Sequence, residues 1–126
     1  MSPPRLKLIL FAALMTTSVS ADQGSRTAGE RQFLRCSACH AMNVDAAPLA
    51  GPHLSELIGR RAGSLEDFAY TEQLHDQNLV WDESTLDEWL RAPHDLYPGM
   101  CMPFMGLRRE SDREALIRYL SNPETN

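Results

Sequence analysis

The chain has a single lysine, Lys7, so every other cation along its 126 residues is an arginine. Twelve basic residues face seventeen acidic ones. A surface this acidic repels phosphate backbones and excludes nucleic acid as a partner. Two tryptophans, three tyrosines and four phenylalanines, with a mean hydropathy of −0.34, exclude a large aliphatic core. No run alternates with period two over a useful length, which excludes a sheet. The longest apolar run, Leu8 to Met15, falls short of the roughly 18–20 residues that span a bilayer. Three cysteines cannot all pair within one chain, so a disulfide scaffold is also excluded.

What is present begins with an export signal. Arg5 and Lys7 form a positive n-region, Leu8 to Met15 an apolar h-region and Val19-Ser20-Ala21 a small-residue cleavage site. The alternative is an uncleaved anchor. Cleavage after Ala21 sends residues 22–126, a single small domain, to the periplasm or another exported compartment, with ten basic and seventeen acidic residues. A domain of this size buries only about two thirds of its unfolded surface. Small exported domains supplement such a core with disulfides, a metal or a cofactor; with the disulfide scaffold excluded, a cofactor is expected.

The periodicity predicts an all-α fold with long loops. A helix is expected from Thr27 to about Ala38, with Thr27 and Glu30 as a capping box and Phe33 and Leu34 on its apolar side. Residues 41–63 read as loop, punctuated by Pro48, Gly51, Pro52, Gly59 and Gly63, and 64–80 as one or two helical turns. Asp82 is suited to cap a helix over Glu83–Arg91, with Leu86, Trp89 and Leu90 on one face. Residues 94–109, with Pro98 and Pro103, read as loop. Ser111 and Glu114 suggest a capping box for the last helix, whose stripe is Leu116, Ile117, Tyr119 and Leu120 and whose stop is Asn122-Pro123.

Residues 33–43, FLRCSACHAMN, carry the chemistry. Two cysteines three apart can hold zinc, form a redox disulfide or bind haem covalently. A zinc site needs a second pair of ligands, but His53, His75, His94 and Cys101 are scattered. A thioredoxin-like site needs a βαβ context, which is missing. Cys36, Cys39 and His40 instead satisfy C-x-x-C-H, the c-type haem attachment motif. On a helical turn both thiols share a face and can add to the two vinyl groups of one porphyrin, with His40 placed to ligate the iron. The segment YPGMCMPFMGL at 97–107 offers Met100, Met102 and Met105 for the sixth position. Any one methionine alone reads as core filler.

Beyond these motifs the chain resembles a class I cytochrome c, close to the mitochondrial and photosynthetic-bacterial type, over about residues 29–121. The resemblance rests on C-S-A-C-H at 36–40, G-P-H-L at 51–54, G-R-R-A-G at 59–63 and F-A-Y-T at 68–71. Trp81, T-L-D-E-W-L-R-A-P at 85–93, P-G-M-C-M-P-F at 98–104 and L-I-R-Y-L at 116–120 continue it. It implies three main helices, short turns and long loops around one covalent haem c. It makes His40 the proximal and Met102 the distal ligand, with the Pro52 carbonyl fixing the imidazole. Arg60, Tyr70 and Trp81 are implied as propionate partners, and Phe104 as the residue closing the pocket. Gly29 on the first helix, with Leu116 and Tyr119 on the last, is implied to form the crossing that supports the crevice. Pro103 independently biases Met102 towards extended backbone.

The chain departs from that pattern in four places. The lysine ring of the mitochondrial proteins is missing; Arg35, Arg108 and Arg109 stand at matching positions as a reduced basic patch for steering redox partners. Trp89 replaces a tyrosine and Leu74 a polar residue, drying the pocket. Cys101 beside Met102 could be an inert surface thiol, a redox-sensitive or intermolecular one, or a thiolate ligand. The expected function is an exported, monomeric one-electron carrier that is not an enzyme, with weak and transient partners. The alternative is a dedicated cytochrome subunit of a periplasmic dehydrogenase or sulfur-oxidising complex.

Overall fold

A computed structural model describes residues 28–47, 49–75 and 78–122. The export signal, the Thr27 cap and the Pro123 stop lie outside these residues. Five helical elements follow in order: α1 over 28–33, α2 (Glu72–His75), α3 (Glu83–Arg91), α4 (Pro93–Leu96) and α5 (Glu110–Ser121). Among the described residues there is no strand. One isolated antiparallel bridge joins Arg61 to Val80.

The core lies where α1, α3 and α5 meet. Leu86, Trp89 and Leu90 of α3 and Leu116, Ile117, Tyr119 and Leu120 of α5 are buried together. The crossing of α1 over α5 depends on Gly29. A Cβ there would stand 2.5 Å from the Ala115 carbonyl oxygen and from Tyr119 Cβ, so no larger residue permits this approach. Phe33 then stacks at 5.4 Å on Tyr119. The Gly29–Tyr119 crossing expected from the sequence is present.

Three local expectations change. The first helix gives way after residue 33 to a series of turns, Cys36 N–H to the Phe33 carbonyl (2.8 Å) and His40 N–H to that of Cys36 (2.9 Å). The region read as loop after residue 93 contains α4, started by Pro93 at its first position, where the missing N–H costs nothing. Helix α5 begins at Glu110, and neither Ser111 nor any other side chain caps it. In place of the expected box, Arg109 Nε and Nη2 donate to Asp112 at 2.9 and 3.1 Å and brace the first turn.

The α3 cap is as expected and stronger. Asp82 accepts from the Thr85 N–H at 2.7 Å, while the Thr85 hydroxyl reaches back to accept from the Asp82 N–H at 2.8 Å. The bond from the Thr85 N–H, with help from its hydroxyl, holds the Asp82 carboxyl below the usual carboxylate range. A depressed pKa stabilises above the unfolded value, and that contribution is lost as pH falls through the folded one. Asp82→Ala is therefore expected to lower the urea midpoint at pH 7, and the gap to the parent to shrink as the solution is acidified through the folded pKa. Urea titrations at several pH values check this; a gap that stays constant into acid contradicts it.

Candidate functional site

The turns that follow α1 place Cys36 and Cys39 one turn apart and present His40 at the end. Cys36 is half-buried, and burial pushes its thiol up, an environment that favours an uncharged sulfur such as a thioether. Both motif cysteines and Cys101 are free, and Cys101 is exposed. No three His, Cys, Asp or Glu side chains converge among the described residues.

The segment 51–54 straps across the motif. Gly51 N–H donates to the Cys39 carbonyl at 2.7 Å and Leu54 N–H to that of Ala41 at 2.8 Å. At Gly51 a Cβ would come within 2.5 Å of His40 Cε1, so the strap lies flat against the imidazole only because residue 51 has no side chain. The next carbonyl, Pro52, accepts from His40 Nδ1 at 2.7 Å. That bond places the proton on Nδ1 and leaves the Nε2 lone pair for a metal.

On the opposite strap, Gly59 N–H donates to the Trp81 carbonyl (2.7 Å), Trp81 N–H to that of Arg60 (2.9 Å) and Ala62 N–H to that of Leu79 (2.8 Å). These bonds bring Arg60 and Trp81, twenty-one positions apart, side by side. Arg60 Nη1 and Nη2 donate to the Ser55 and His53 carbonyls, each at 2.9 Å. Burial lowers the Arg60 guanidinium, which the nearby Tyr70 and two acidic side chains partly offset. Burial likewise pushes the Tyr70 phenol up, keeping it an O–H donor, while Arg60 pulls it back. Next to it, Thr71 Oγ1 is buried without a hydrogen-bond partner among the described residues. An orphaned hydroxyl beside a tyrosine and an arginine is a donor set for carboxylates. Sequence reasoning missed Thr71 although it closes the F-A-Y-T stretch. The residues present therefore fit a haem.

The segment 97–107 carries the three methionines offered for the sixth position. Met100 is buried in the core, Met102 and Phe104 are partly buried against it, and Met105 is 82% exposed, which leaves Met105 outside the site. Trp89 meets Trp81 edge to face, with centroids 5.0 Å apart, and the tilted ring of Tyr97 at 5.2 Å. Gly106 has φ +99°, and a Cβ there would collide with the Arg91 carbonyl oxygen. That close approach, with the Leu107 N–H to Leu90 carbonyl bond at 2.7 Å, docks the segment on the end of α3.

No family model matches the chain. Cytochrome c2 of Rhodoblastus acidophilus is 41% identical to it over 98 residues, covering 78% of this chain and 92% of that protein. Cytochrome c2 of Rhodomicrobium vannielii is 35% identical over 117 residues, 92% of this chain and 94% of that one. Cytochrome c of Stellaria longipes is 36% identical over 101 residues, 79% and 94% of the two chains. An all-helical fold carrying a C-x-x-C-H turn, with relatives of this kind, defines a c-type cytochrome. Within that class, the chain belongs to the class I cytochrome c family. It carries one haem c, attached covalently through two thioethers, for which Cys36 and Cys39 have the required spacing, and it functions as a monohaem electron carrier. No helix among the described residues is long and apolar enough to cross a membrane.

Proposed function

We propose that this carrier uses His40 and Met102 as its two axial ligands and works outside the cytoplasm after cleavage following Ala21. The observation that supports this most is the His40 Nδ1 bond to the Pro52 carbonyl, which leaves Nε2 as the free ligand atom. Haem c would supply a one-electron Fe(II)/Fe(III) couple, held by His40 and Met102; a methionine sulfur among its ligands would favour the reduced state and raise the potential. Cys36 and Cys39 hold the group, and Arg60, Tyr70 and Trp81 serve its propionates, with Thr71 as an additional donor. Phe104 shields the edge of the crevice from water.

The protein's task is electron transfer and not catalysis, with redox proteins as weak, transient and short-lived partners of a monomer. Arg35, Arg108 and Arg109 steer them. Asp112 takes part in this patch: the hydrogen bond from Arg109, with the charges of Arg109 and Arg35 behind it, holds its carboxyl below the usual range. Part of the positive field is thereby neutralised, and steering is weaker than three free arginines would give.

An optical spectrum with a redox titration tests the ligation. The oxidised parent is expected to show a far-red methionine-to-iron charge-transfer band. Met102→Ala is expected to lose that band, to bind carbon monoxide when reduced, and to drop in potential by a sizeable part of the roughly 0.8 V that axial ligands span. A band that survives in Met102→Ala excludes Met102 as the ligand.

A further inference from the structure

We propose that His94 is a positioning residue for the distal ligand: its hydrogen bond to the Met102 backbone holds the methionine in place and limits how often the sixth position opens. The proposal rests on the reading of Met102 as that ligand.

His94 Nε2 lies 2.7 Å from the Met102 carbonyl oxygen, which has no proton to give, so the imidazole donates and Nε2 carries hydrogen. The same carbonyl accepts the Phe104 N–H at 2.8 Å. Both lone pairs of the oxygen are engaged, and the Met102 peptide plane can no longer rotate freely. Because the carbonyl carbon is bonded to the Met102 Cα, holding this plane restrains the backbone from which the thioether leaves.

The rest of the segment has few such ties. Among the described residues, the His94 bond is the one hydrogen bond from residues 101–106 to any other part of the chain; the Phe104 bond is internal to them. Pro103 supplies no N–H, and the next tie is at Leu107. A segment with so few ties opens locally at low free energy. His94, by contrast, rides on a rigid base. Its neighbour Pro93 is fully buried, the Tyr97 N–H closes the turn on the Pro93 carbonyl at 3.0 Å, and the Tyr97 ring stacks on Trp89. An anchored donor thus grips an otherwise loosely tied ligand segment at the ligand itself.

The test is the rate at which saturating imidazole replaces the methionine in the oxidised holoprotein, followed by loss of the far-red band. Release of the methionine then limits the rate. His94→Ala is expected to exchange about tenfold faster than the parent, the upper range for one net hydrogen bond. His94→Gln, whose amide nitrogen can occupy the place of Nε2, is expected to stay within about twofold of the parent. His94→Leu fills the space without a donor and is expected to match alanine, so it keeps the test available should alanine not accumulate. Urea midpoints for the same proteins separate this local effect from global stability. Exchange at the parent rate in the alanine and leucine variants overturns the positioning role, as does a glutamine variant as fast as alanine. A parent without the far-red band overturns the methionine reading itself, and the positioning role with it.

Discussion

A chain with Cys36 and Cys39 both replaced by alanine is expected to fail to fold at 25 °C, not merely to lose its cofactor. Only two described helices exceed eight residues, α3 with nine and α5 with twelve. Isolated helices of that length are marginal in water and rely on packing. Twelve hydrophobic residues form the buried core among the described residues, while Phe33, Met42, Leu54, Leu74, Leu79, Met102 and Phe104 are only partly buried around it. These side chains come from stretches far apart in the sequence. A flat apolar group between them removes on the order of 400 Å² from water, about 10 kcal/mol at about 25 cal/mol per Å². That equals the entire net stability of a typical domain. Far-UV circular dichroism and amide dispersion in NMR spectra of the double variant check the expectation. Single Cys→Ala variants keep one thioether and His40, and are expected to fold with lowered midpoints. A cooperative urea transition in the haem-free double variant contradicts it.

The thiol pair, the histidine that follows it and α3 were legible because each depends on neighbours in sequence. C-x-x-C-H is a spacing, and Asp82 before an apolar-periodic stretch is a cap; the structure adds only that Thr85 completes the box. Features that depend on distant partners were not legible in this way. Arg60 meets Trp81 through a bridge too short to leave a period of two. Helix α4 is one turn long and shows no period, although Pro93 was its marker. The start of α5 was misplaced because cap preferences favoured Ser111, whereas the helix starts two residues earlier, its first turn braced by an Arg109–Asp112 ion pair. The His94 contact with Met102 spans eight positions through a proline-containing loop, which no local rule anticipates.

Arg113 was missed for a different reason: it is a charge on an apolar stripe, and its removal is expected to be the most damaging single change away from the haem ligands. It lies three and four positions before Leu116 and Ile117, so its helical face is the buried one, and it is 6% exposed. Its Nε donates to Asp87 of α3 at 2.7 Å, and its Nη1 to the carbonyls of Leu107 and Arg108 at 3.0 and 3.1 Å. One guanidinium therefore ties α5 to α3 and to the end of the methionine segment. Removing one partner of a buried pair costs about 3–5 kcal/mol. Asp87, whose side chain is 33% exposed, can turn to water, so the lower end applies, and Arg113→Ala is expected to cost about 3 kcal/mol. Arg113→Lys has a single ammonium that cannot serve acceptors in a fork, and is expected to recover about half. Asp87→Ala leaves the guanidinium with both carbonyls and is expected to cost less than Arg113→Ala. The two freed carbonyls also loosen the anchor behind Met102, so in Arg113→Ala the far-red band is expected to vanish at lower urea than the helical signal. Urea titrations followed at both wavelengths check the order. Equal losses for Asp87→Ala and Arg113→Ala, with coincident transitions, assign the stability to the ion pair alone and leave the carbonyl bonds without a role.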